Sequence, residues 1–166
     1  MTAAPGTSTS SRPLSLARAV LSGALVVGTL DALDAIIFFG MRGAVPIRIF
    51  QSIASGLLGR AAFQGGAATA LLGVGIHFFI AAAIVLTFVL ASRRLPVLVH
   101  HPVVAGVLYG LAVYAVMNYV VVPLSAAGRG SFAAPVFING LLIHAFGVGL
   151  PAALFARAAF VPTQSS

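Results

Sequence analysis

The sequence predicts an all-α fold, a polytopic transmembrane four-helix bundle with one additional amphipathic or re-entrant helix. Of the 166 residues, 60% are hydrophobic and only 7% are charged, whereas soluble domains carry about 25% charged residues. Four apolar stretches each reach the ~20 helical residues that a hydrocarbon core of ~30 Å requires. They cover residues 17–39, 67–92, 102–124 and 134–158.

Breaks rich in arginine, glycine or proline separate these stretches. Gly40-Met41-Arg42-Gly43 follows the first, Arg93-Arg94-Leu95-Pro96 the second, and a polar, glycine-rich turn at 125–130 the third. Such residues end helices and form loops. The spans are expected to build a single transmembrane domain over residues 14–160, because the chain is too short for a second one.

Short polar segments are expected to form tails at both ends, at residues 1–13 and 161–166. The first is rich in Ser, Thr, Ala and Pro and predicts a disordered segment. Arg12 and Arg18 precede the first apolar stretch, an order also found in signal peptides. That stretch is longer than a typical signal-peptide core and holds two Asp, so we interpret it as a retained helix.

The segment 45–60 differs from the four spans because it is short and two-faced. Apolar and polar side chains both recur at helical spacing, which is typical of an amphipathic helix. The apolar set is Ile49, Phe50, Ile53 and Leu57, and the polar set is Arg48, Ser52 and Ser55. The helix is expected to lie in the interface or to dip into the bilayer and return. A fifth full span is disfavoured because Arg48 lies well inside the segment.

Charge and composition exclude several classes of protein. The net charge of +7 comes from nine basic residues, all Arg, against two Asp. These arginines lie at the ends of apolar stretches, so we expect a lipid bilayer and no nucleic acid as partner. Absence of Cys excludes disulfides and thiolate metal sites. Arg93 and Arg94 in a short loop favour both termini in the cytoplasm.

The two acidic residues of the chain, Asp31 and Asp34, both lie in the first predicted span. A charged side chain at the bilayer centre costs about 2.5–3.5 kcal/mol on insertion scales, so it is retained mainly where it functions. Three positions apart, the two carboxylates share a helix face. The alternative is structural, since an Asp near a helix end can bind a neighbouring hydroxyl or backbone group.

Helix rise predicts that the strongly polar residues of the spans converge. If segment 45–60 does not cross, these residues all lie in one half of the membrane at 1.5 Å per residue. The depths are about 7 Å for Asp34, Asn118 and Asn139, about 12 Å for Asp31, and about 15 Å for His77 and His144. Both histidines lie in stripes of small residues, which mark helix–helix contacts.

We therefore predict an intramembrane polar site. Its ligand- or ion-binding residues are Asp31, Asp34, His77 and His144, surrounded or covered by Arg48, Gln51, Asn118 and Asn139. The four binding residues suit a divalent metal ion, a small polar ligand or a relayed proton. A b-type haem between His77 and His144 is another reading, disfavoured by the nearby Asp residues.

The chemistry leaves two classes of function open. The first is a transporter or a membrane-embedded enzyme, with no catalytic residue assignable because phosphate loops and Ser-His-Asp sets are absent. The second is a non-catalytic structural or partner-binding bundle, in which Arg48 pairs with Asp31 or Asp34. Gly106 and Gly110 form a small-residue motif that would allow a homo-oligomer. His100 and His101 are expected in the headgroup region.

Several short motifs resemble a widespread family of small, uncharacterised bacterial inner-membrane proteins. They are the segment 48–59 (RIFQSIASGLLG), His77-Phe78, His101-Pro102, Tyr109-Gly110, Met117-Asn118 and Pro123-Leu124-Ser125. The resemblance covers most of residues 20–155. It implies a compact multi-pass bundle in the bacterial inner membrane, and it implies no activity and no site residue.

Overall fold

A computed structural model describes residues 14–128 and 132–161 of the protein. Within these ranges the regular structure is helical, without strands, and forms six helices. They are α1 (Leu16–Gly40), α2 (Pro46–Leu58), α3 (Gly66–Arg94), α4 (Val97–His100), α5 (Pro102–Leu124) and α6 (Ala134–Phe160). A 3₁₀ turn, Gly59–Gln64, joins α2 to α3. The predicted all-α bundle is confirmed.

Four of these helices, α1, α3, α5 and α6, are long and apolar enough to cross a membrane, with 25, 29, 23 and 27 residues. Their ends fall within two residues of the bounds predicted from the sequence. The chain is thus a multi-pass membrane protein by length and composition. Residues 1–13 and 162–166 of the predicted tails lie outside the described residues.

Local signals set where the helices begin. Ser15 caps α1 by accepting a hydrogen bond from the backbone N–H of Arg18, which occupies one of the donors left free at a helix start. Proline stands in the first turn of α2, α5 and α6. Its missing N–H costs nothing there, because the first N–H groups of a helix lack partners within the helix.

The spans pack as a group of three with the fourth on its outside. Helices α1, α3 and α6 contact one another, while α5 packs mainly against α6. The core where α1, α3 and α6 meet is built from β-branched and aromatic side chains. Its largest fully buried members are Val27, Val85, Phe88, Val89 and Val148.

Glycines bring α5 and α6 into backbone contact. A Cβ built on Gly106 would lie 2.8 Å from the carbonyl oxygen of Gly149, and one built on Gly110 would overlap the carbonyl of His144. The glycine surface that the sequence suggested for a second copy is therefore occupied by α6 of the same chain. A homo-oligomer stays a prediction, and it would need another surface.

Helix α2 does not cross the membrane. Its 13 residues span about 20 Å at 1.5 Å per residue, less than a hydrocarbon core. Gln51, Ala54 and Ser55 are buried, whereas Leu57 is 67% exposed. A helix floating in the interface would turn its polar side to water. Here Gln51, Ala54 and Ser55 pack on protein, while Arg48 and Ser52 stay exposed, so α2 lies against the bundle and keeps a polar edge.

The tight α5–α6 contact makes a prediction for stability. Gly110→Ala should lower the free energy of unfolding by about 1–3 kcal/mol, the usual cost of overpacking, because the new Cβ would meet backbone that cannot turn away. Unfolding in mixed dodecylmaltoside–SDS micelles, followed by circular dichroism, measures this. Gly75→Ala is the matched control, since a Cβ at Gly75 meets nothing within 4 Å. Equal stability of the two variants would contradict the packing argument.

Candidate functional site

A cavity of about 240 Å³ lies between the four spans and the inner side of α2. Four of the predicted polar residues line it, one from each span: Asp31, His77, Asn118 and His144. The remaining walls are mostly apolar and include Val27, Ile53, Ile80, Ile84, Met117 and Val148. The structure thus brings together the side chains that helix rise placed at similar depth.

His77 crosses from α3 to α1. Its Nε2 atom lies 2.8 Å from the carbonyl oxygen of Gly28. A carbonyl oxygen only accepts hydrogen bonds, so Nε2 carries the proton. Gly28 makes this contact possible, because its missing side chain leaves room for the ring of Phe78, 2.6 Å from where a Cβ would lie.

The other nitrogen of His77 faces the carboxylate of Asp31. The distance from Nδ1 to Asp31 Oδ2 is 3.9 Å, longer than a hydrogen bond. With Nε2 protonated, neutral His77 presents a lone pair at Nδ1. An ionised Asp31 also presents lone pairs, so two acceptors face each other. This arrangement is stabilised when one of the two side chains holds an additional proton.

Asp31 has no hydrogen-bond donor among the described residues. In residues 14–128 and 132–161, every buried polar side-chain atom has a hydrogen-bond partner. The unpartnered carboxylate oxygens of Asp31 are therefore accessible, and Asp31 lines the cavity. The side chain is 29% exposed, against 11% for His77. An intramembrane carboxylate without a donor is costly, which distinguishes Asp31 from Asp34.

Asp34 is satisfied and has a different role. Its Oδ2 atom accepts a hydrogen bond of 2.7 Å from Nδ2 of Asn139 on α6. The pair ties the first span to the last, and neither residue lines the cavity. Of the two carboxylates that the sequence placed in one site, Asp31 alone lines the cavity.

Two π-helical segments, Met117–Val121 and Ile143–Gly149, interrupt α5 and α6 beside the cavity. In a π-helix each N–H reaches the carbonyl five residues back instead of four. Side chains add to the backbone hydrogen bonds just before each π segment: Asn118 Nδ2 donates to Tyr114 O at 2.9 Å, and His144 Nδ1 to Gly140 O at 2.9 Å. The same two carbonyls also accept the backbone N–H groups of Met117 and Ile143. Both donating side chains line the cavity.

Sequence reasoning missed these π segments, although a signal was present. Pro123 and Pro151 each follow a π segment by two residues. Proline inside a helix removes a hydrogen bond and clashes with the preceding turn, so irregular geometry is expected near it. Such prolines in predicted spans mark places where polar side chains can bind the freed backbone.

Arg48 and Gln51 do not cover the cavity. Arg48 Nη1 donates to the carbonyl of Phe63 at 2.9 Å, and Gln51 Nε2 donates to Gly66 O at 2.9 Å. Together they fasten α2 to the turn that follows it. The predicted pairing of Arg48 with Asp31 or Asp34 is wrong, because its guanidinium is held by Phe63. Ile53 is the α2 side chain that reaches the cavity.

The predicted metal site is not formed. Within the described ranges, no group of three or more His, Cys, Asp or Glu is placed to hold a metal ion. Asp34, one of the four predicted ligands, is taken by Asn139. The cavity of about 240 Å³ is too small to enclose a haem macrocycle, which disfavours the haem reading.

The fold and the cavity define a class: a multi-pass membrane protein with four spans and, between them, a largely apolar pocket that holds a few polar side chains. No known protein family, no curated protein and no solved structure matches this chain. The resemblance to a family of small membrane proteins is thus not established. The bacterial inner membrane and the orientation of the termini stay predictions.

The contrast between the two carboxylates is testable by substitution. Asp34→Asn keeps an acceptor for Asn139 and should leave stability unchanged. Asp34→Ala removes the bond and should cost about 0.6 kcal/mol, up to ~1.7, as interhelical hydrogen bonds in membranes do. A double-mutant cycle with Asn139→Ala in the same micelle assay isolates the pair. A coupling energy of zero would contradict the tie.

Proposed function

We propose that the protein binds a small organic cation in its central cavity in exchange for a proton, as the binding step of proton-linked transport. The observation that carries the proposal is the geometry of Asp31 and His77. Nε2 of His77 is committed to Gly28 O, and Nδ1 faces the Asp31 carboxylate at 3.9 Å. We place the exchanged proton on Asp31, which makes the pair neutral overall.

A cation can take the place of that proton. When a positively charged group enters the cavity, it can lie against the ionised carboxylate of Asp31, and the proton leaves. The net charge of the site is zero before and after the exchange: the proton neutralises the pair before it, and the cation neutralises the ionised Asp31 carboxylate after it. Since a net charge in the membrane is expensive, binding of the cation and loss of the proton are coupled.

The surroundings of Asp31 favour an external cation over an arginine of the chain. Among the described residues, the contact between His77 and Asp31 is the one ion pair. Arg42 instead donates to Phe38 O at 2.9 Å, and Arg157 to Val99 O at 3.2 Å. The carboxylate is thus not neutralised by any described guanidinium.

His144 supplies a second acceptor in the cavity. Its Nδ1 donates to Gly140 O, so neutral His144 presents a lone pair at Nε2. Nε2 of His144 has no hydrogen-bond partner among the described residues. Since every buried polar side-chain atom among them has a partner, this nitrogen is accessible. We expect this nitrogen to accept an N–H of the ligand, where the ligand carries one.

The proton can be observed directly, because the chain has two acidic side chains and no others. Infrared difference spectra of the protein in vesicles, recorded across a pH step, should show the C=O stretch of a protonated carboxyl group. Asp31→Asn should remove the band, and Asp34→Asn should keep it. A band that disappears with Asp34→Asn alone would overturn the assignment to Asp31.

The exchange itself predicts release of a proton upon binding. Benzyltrimethylammonium, a permanent cation that carries no exchangeable proton, should acidify a weakly buffered solution of the protein in micelles, as read by a pH dye. Benzyl alcohol and benzoate are matched controls with the same ring. Asp31→Asn should reduce binding of the cation about tenfold or more, equivalent to ~1.4 kcal/mol. Binding without release of a proton would refute the exchange.

A further inference from the structure

A groove of about 390 Å³ runs between α3 and α5 on the outer surface of the bundle. Large apolar side chains on it are turned outward: Phe79 is 73% exposed, Val116 52% and Val121 40%. In a chain with four spans, outward-facing apolar side chains midway along α3 and α5 contact lipid tails. The groove therefore opens to the bilayer core.

The groove and the central cavity share a wall. Ile80, Ile84 and Met117 line both. These three side chains alone are common to the two spaces, two from α3 and one from the π segment of α5. Unbranched Met side chains adapt their shape readily, and a π segment departs from regular helix packing. The wall is thin, apolar and adaptable.

The groove offers nothing polar to a molecule within it. Its two hydroxyl groups are already bound: Tyr109 OH donates to Ile84 O at 2.7 Å, and Thr87 Oγ1 donates to Ala83 O at 2.7 Å. The first of these bonds also ties α5 to α3 across the groove. Polar groups begin only behind the shared wall, at Asp31 and His77.

We propose that the ligand reaches the cavity from the bilayer, through the groove between α3 and α5, and is therefore a lipophilic cation. Its apolar part is solvated by lipid and then by the groove, and its charge meets Asp31 after the shared wall. This route rests on the proposed function for the nature of the ligand. Its geometry rests only on the groove and the wall.

A hydrophobic aromatic diazirine dissolved in the vesicle bilayer tests the route. After irradiation, mass spectrometry of fragments should show labels on the groove and on the inner wall of the cavity, at Val148. Val148 is 2% exposed and lines the cavity but not the groove. Ala112→Trp, which fills the groove from α5, should lower the inner label about tenfold and leave the cavity residues unaltered.

A tryptophan placed outside the groove is the control for Ala112→Trp. Leu25→Trp adds the same ring at a position of α1 that is 62% exposed and outside the groove, and it should leave the inner label unchanged. Labels on the groove without labels at Val148 would mean that it holds only lipid, which overturns the route. An inner label insensitive to Ala112→Trp would overturn it as well.

The lateral route and the proposed proton exchange can be tested independently of each other. Photolabelling does not depend on any proton, so it reports the route even if benzyltrimethylammonium releases none. If that cation does release a proton from micelles while the inner label is absent in vesicles, the exchange stands and the lateral route is wrong. Ala112→Trp should then leave the rate of proton release unchanged, whereas the proposed route predicts a slower release in vesicles.

Discussion

The absence of water in a hydrocarbon core governs this structure, because every polar group there must find its partner within the protein. Gln51, although 2% exposed, donates to Gly66 O, and Asp34 accepts from Asn139. The side chains of His144 and Asn118 donate to backbone carbonyls of their own helices. Asp31 is the one acidic side chain that this rule leaves open, and the cavity is built around it.

Close backbone contact makes this satisfaction possible. Gly28 lets α3 approach α1 until His77 reaches a carbonyl, and Gly106 and Gly110 let α5 approach α6. Small residues thus shorten the distances that polar side chains must bridge. The same contacts position Asn118 and His144 on opposite sides of one cavity. Packing and chemistry here depend on the same few glycines.

The sequence determined the helices well, since length, apolarity and helix breakers act locally. Helix rise also anticipated that Asp31, His77, Asn118 and His144 would lie in the same half of the bundle. It could not assign partners, because depth fixes one coordinate and leaves the angle around each helix open. Arg48 was therefore paired with the wrong group, and Gly106 and Gly110 were given to a second copy. The groove between α3 and α5 depends on two helices that touch at Tyr109 and separate beyond it, which no local pattern reveals.

The bond between Asp34 and Asn139 has a consequence for biosynthesis. The partners are 105 residues apart, so at 5–20 residues per second the ribosome needs about 5–20 s to deliver Asn139 after Asp34. During that interval α1 sits in or beside the translocon with a carboxylate that has no partner. The hydrogen bond that ties α1 to the bundle through Asp34 thus forms only when α6, the last span to be synthesised, supplies Asn139.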